Sequence, residues 1–102
     1  MKKRLNESIT CASGFTMSVQ AHVGAYCTPR ISDAPKYSEV EVGFPSEQEP
    51  LLMQWCEEPG DPTGTVYGYV PAGVVTTVIA KHGGMVSGKA PPGVIELWAE
   101  SD

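Results

Sequence analysis

Two stretches of this chain alternate apolar and polar residues with a period of two, and that pattern decides what it can build. In "FTMSVQAH" Phe15, Met17, Val19 and Ala21 take one side, with Thr16, Ser18, Gln20 and His22 on the other. In "YSEVEVGF" Val40, Val42 and Phe44 oppose Glu39 and Glu41. This is the signature of strands with one face in a core and the other in water. Such strands belong to antiparallel sheets, because parallel ones are covered on both faces and read as continuous apolar runs. "LNESITC", joined to the first stretch by Ala12-Ser13-Gly14, completes a hairpin whose glycine is free to take a positive φ.

The remaining elements follow from punctuation. Between the strands, "TPRISDAPK" carries two prolines and reads as a loop. "SEQEPLLMQWCEE" predicts a short helix with Leu51, Leu52, Trp55 and Cys56 as its apolar stripe. Ser46 and Glu49 have capping-box spacing, or Pro50 marks the first turn. "TVYGYV" reads as a further strand, and "PAGVVTTVIAKHGG" as a second helix. In that helix Val74, Val75, Val78 and Ile79 share a face, and Gly83 can close it in the left-handed conformation. With 102 residues, 11 Gly and 9 Pro, one domain of short elements is expected. The predicted fold is α+β, a small mainly antiparallel sheet of about four strands with two helices packed on one face. That domain is expected to span residues 1–85. Residues 86–102 form a tail whose Val94, Ile95, Leu97 and Trp98 should be buried on the chain's own sheet or on a neighbouring subunit.

Charge and composition narrow the function classes. The formal net charge is −5, and between Tyr37 and Ala80 there is no Lys or Arg, while Glu39, Glu41, Glu47, Glu49, Glu57, Glu58 and Asp61 all lie there. Direct nucleic-acid binding is not expected, since it needs clustered cations. Lys2, Lys3 and Arg4 are too short a run to supply them and read as a mobile terminus. No apolar run suits a membrane span, no apolar region follows the basic start as in a secretory signal, and a cytoplasmic location is expected. Cys11, Cys27 and Cys56 are an odd count at wide spacing, which predicts reduced thiols and neither a zinc site nor a disulfide scaffold.

Several residues invite a chemical reading. His22 and Cys27 would meet if "VGAY" formed a tight turn, but a thiol at a strand end beside Tyr26 is expected to pack inward. Arg30 has a structural role as a salt-bridge partner of Glu39 and Glu41, with Asp33 also near, and a functional one as a bidentate clamp on a carboxylate or phosphate. Glu39 and Glu41 read as a solvated sheet face or as an acid/base pair. Tyr67 and Tyr69, two apart in one strand, should share a face, packing across strands or stacking a ligand or partner. His82 sits in the last turn of its helix, where a cation complements the dipole. No metal, cofactor or catalytic set can be assembled. Arg30, Glu39, Glu41, Tyr67, Tyr69 and Trp98 are the candidate ligand or partner contacts.

Taken in order, "FTMSVQA", "YCTPR", "YSEVEVGFPS", "TVYGYVP" and "KHGGM" resemble a group of small uncharacterised proteins encoded by tailed bacteriophages and prophages. The similarity runs from about Cys11 to Met85, and the stretch after Met85 departs from it. The resemblance brings no reaction and no catalytic residues. It implies a small accessory protein of the infected bacterial cytoplasm, of a kind that binds host proteins, defence components among them. The expected function is therefore host-protein binding without catalysis, as a possible homodimer and with no membrane or nucleic-acid contact. The alternative is sequestration of a small molecule or nucleotide signal by Tyr67, Tyr69 and Arg30.

Overall fold

The expected hairpin forms from β1 (Ile9–Cys11) and β2 (Thr16–Gln20), with Ile9 opposite Met17 and Gly14 in the turn at φ 96°. Met17 and Val19 are buried while Ser18 and Gln20 are half-exposed, so the register read from the alternation holds. The computed structural model describes residues 5–100, and the basic Lys2, Lys3 and Arg4 lie outside them. β3 (Glu39–Gly43), β4 (Val66–Pro71) and β5 (Met85–Ser87) complete an antiparallel sheet in the order β4-β3-β2-β1-β5.

The fold is α+β, with five strands where about four were expected. The additional strand, β5, is three residues between Gly84 and Gly88, too short to show a period. Pairing with β1 makes it a strand.

The first helical segment is a 3₁₀ helix, Pro50–Trp55, with Pro50 in its first turn. Ser46 and Glu49 do not form a capping box. The Ser46 hydroxyl accepts from the Thr16 amide, and Glu49 is itself the cap, accepting from the Leu51 amide. Helix α1 (Ala72–Lys81) follows β4 directly. Its end is a Schellman motif: the Gly83 amide reaches the Ala80 carbonyl, the Gly84 amide reaches that of Ile79, and both glycines have φ near 90°. Leu52, Val75, Val78 and Ile79 join Ile9, Met17, Val19, Val40, Val42 and Phe15 in one core cluster.

The segment after Met85 lies along the chain's own sheet. The Met85 amide donates to the Leu97 carbonyl at 2.7 Å, and the Ala99 amide to that of Met85 at 2.9 Å. Of the four apolar residues expected to be buried there, only Val94 is (7 % exposed); Ile95, Leu97 and Trp98 remain 62 %, 39 % and 52 % exposed. Backbone hydrogen bonds and the burial of Ala90 and Val94 hold this stretch in place, while its three largest apolar side chains stay in water.

A candidate binding surface on the outer sheet

The geometry that departs most from the sequence expectation lies in β4. Val40 pairs with Val70, but Val42 pairs with Tyr67, so Gly68 and Tyr69 together oppose the single residue Glu41. This bulge breaks the period of two. Tyr67 and Tyr69 therefore do not share a face. Tyr67 is fully buried, its hydroxyl donating to the Pro62 carbonyl at 2.6 Å, whereas Tyr69 is 42 % exposed. Burial, reinforced by the neighbouring Cys56, pushes the Tyr67 phenol far above its ordinary range. Tyr67 is a core residue and presents nothing to a ligand.

Tyr69 carries the bulge at φ 57°, the left-handed region that bulky side chains avoid. Its amide donates to the Tyr26 carbonyl at 3.0 Å, and its ring stacks on that of Tyr26 at 5.8 Å between centroids. The Arg30 guanidinium carbon in turn lies 5.3 Å from the Tyr26 ring centre. Arg30 makes no salt bridge to Glu39, Glu41 or Asp33; its Nε donates to the Val23 carbonyl at 3.2 Å. The loop after the cis Thr28–Pro29 bond sends this side chain to Tyr26 instead.

The two strand carboxylates have separate partners. Glu39 accepts from the Thr28 hydroxyl at 2.6 Å. Glu41 is half-buried; burial pushes its carboxyl up, the Tyr26 amide and Arg30 pull it down, Glu57 adds to the rise, and the net shift is upward. Glu57 comes close because Gly68 has no side chain. A Cβ there would meet the Glu57 carboxylate at 3.1 Å and the Tyr26 Cβ at 3.2 Å. Arg30, Glu41 and Tyr69 are thus brought together, with Tyr26 and Glu57 added. Glu39 is bonded to Thr28 and is not among the residues brought together, and Trp98 pairs with Met85 in the segment along β5.

A conformation this unfavourable for tyrosine costs the fold about 1–2 kcal/mol. Tyr69→Gly should relieve that strain while losing the Tyr26 stacking, worth about 1 kcal/mol. The expected net change in urea unfolding is within about 1 kcal/mol, where an ordinary half-buried tyrosine would show a larger loss.

The Cys27 thiol donates to the His22 and Pro29 backbone carbonyls at 3.3 and 3.5 Å and is buried, a packing arrangement. All three cysteines are free, and burial pushes the Cys11 thiol up. Among the described residues, no group of three His, Cys, Asp or Glu side chains is placed to hold a metal.

A second polar assembly escaped the sequence reading. Glu49 is 1 % exposed, the only buried charged residue among those described. Its carboxylate meets Lys81 Nζ at 2.8 Å and His82 Nε2 at 2.7 Å, as well as the Leu51 amide at 2.9 Å. His82 Nδ1 lies 3.1 Å from Ser13 Oγ, and Phe15 stacks on the imidazole at 4.1 Å. Ser13, His82 and Glu49 have the composition of a nucleophile, base and orienter. The surrounding amides are committed elsewhere, however. Those of Ala12, Ser13 and Gly14 go to the Gly84, His82 and Cys11 carbonyls, and that of Phe15 to Ser13 Oγ. No amide of this turn remains to hold an oxyanion. The assembly is a brace joining the β1–β2 turn, the 3₁₀ helix and the end of α1.

Compared with known proteins, the chain matches no family model, no curated sequence and no solved structure. Among the described residues no helix is long and apolar enough to cross a membrane.

Proposed function

We propose that this chain is a non-catalytic binding protein of the bacteriophage accessory type, which engages a host protein in the infected cytoplasm through the Tyr26–Tyr69–Arg30 surface. One observation carries the reading: a half-exposed tyrosine held in a left-handed conformation by a bulge, beside a second tyrosine and an arginine. Strain of this kind gathers where a side chain is aimed for use. Tyrosine and arginine are also the side chains that dominate interface energetics, and Glu39 and Glu41 supply a polar rim.

The alternative, sequestration of a small molecule or nucleotide signal, loses one of its three contacts because Tyr67 lies in the core. Affinity capture from infected cells followed by native mass spectrometry separates the two. A protein bound in fixed ratio, and lost on Arg30→Ala, supports the proposal. A co-purified small molecule with no protein would replace it with the alternative.

A further inference from the structure

The chemistry around Tyr69 specifies what it would hold. Tyr26 already carries one guanidinium, the chain's own Arg30, with its centre 5.3 Å from the ring. Glu41 lies across from the bulge that carries Tyr69, the Glu57 carboxylate reaches Gly68, and these two negative charges face the single positive charge of Arg30. An aromatic face flanked by two carboxylates favours a planar cation, which stacks on the ring while its N–H groups reach the carboxylates. Arginine suits this better than lysine, whose ammonium is a compact, strongly hydrated charge.

Resting on the host-binding reading above, we infer that the partner inserts an arginine side chain here, stacked on Tyr69 and hydrogen-bonded to Glu41 and Glu57. Arg30 on Tyr26 displays the same contact within the chain. Charge complementarity assigns the occupant: a basic segment of a protein, not a nucleic acid or an anionic metabolite.

The test titrates the full chain, isotopically labelled for NMR, with a capped hexa-arginine peptide and, separately, with hexa-lysine. The arginine peptide should bind about fivefold more tightly and shift the amides of Tyr26, Gly68 and Tyr69, as expected for guanidinium stacking. Tyr69→Gly and Tyr69→Leu should each abolish the preference for arginine, the second retaining side-chain bulk without the ring. Glu41→Gln should weaken both peptides about threefold, and Glu7→Gln, remote in the sequence, should leave both within about twofold. Equal affinity for the two peptides, or shifts that avoid these three amides, would overturn the inference. If that happened while capture of a host protein still depended on Arg30, the binding reading would stand and only the arginine contact would fall.

Discussion

Glu49→Ala is expected to destabilise the fold by about 2–4 kcal/mol, a large share of what a domain of this size has to lose. Only a small part of the loss comes from the Lys81 pair, since Lys81 is 45 % exposed and its ammonium can return to water. It comes from the Leu51 amide and the His82 imidazole, which lose their acceptor at a site closed to solvent, His82 being only 10 % exposed. Lys81→Met should therefore cost less than about 1 kcal/mol, and urea unfolding of the two variants measures the contrast. The same carboxylate predicts a pH dependence. Burial pushes Glu49 upward, but Lys81, the Leu51 amide and His82 outweigh it, so its folded pKa lies below the ordinary 4.5. A lowered carboxylate contributes stability that is complete above the unfolded value and is lost as pH falls through the folded one. The gap between wild type and Glu49→Ala should accordingly be widest near neutrality and narrow on acidification below about pH 4.5. Glu41, whose pKa is raised, works in the opposite sense and is common to both proteins, so it leaves the difference unaffected.

Gly93→Ala should be about as damaging, near 3 kcal/mol, and it acts through the segment that follows β5. Gly93 has φ 110°, and a Cβ there would overlap the Tyr37 carbonyl oxygen. Neither side can yield easily. Tyr37 is 2 % exposed, its hydroxyl bonded to the Ile31 carbonyl at 2.7 Å and its amide to the Pro92 carbonyl at 2.9 Å. Gly14→Ala is the control. It also has a positive φ, 96°, but nothing lies within 4 Å of the added Cβ, so only the backbone cost of about 1 kcal/mol should appear. Equal losses at the two glycines would mean that the close approach to Tyr37 carries no weight.

What could be read from the sequence was local. The period of two in β2 and over residues 39–42, and the αL glycine closing α1, are decided within a few residues and stand in the structure as expected. Phe44, expected on the face of Val40 and Val42, instead leaves β3 at φ 51° and is 57 % exposed. What could not be read was set by contacts between distant segments. The bulge at Gly68 and Tyr69 depends on how β4 registers against β3, and "VYGYV" looks like regular alternation until that register is known. Gly68 was the one available hint, since a lone strand glycine often marks a bulge or a close approach. The brace unites Ser13, Glu49, Lys81 and His82 from three elements, and no spacing along the chain announces it. Tyr26 stands in no periodic pattern or motif, yet its ring joins Arg30 to Tyr69. The apolar residues after Gly93 misled in the other direction, because main-chain pairing to Met85 orders that stretch without hiding Ile95, Leu97 or Trp98.

The central claim is that Tyr69 is kept in its unfavourable conformation for binding and not for folding. The most direct measurement is capture of a host protein from infected cells by wild type and by Tyr69→Gly, with urea unfolding of both samples. The account predicts a variant whose stability lies within about 1 kcal/mol of wild type and which no longer retains the partner. A Tyr69→Gly protein that is markedly destabilised yet still retains the partner would contradict it.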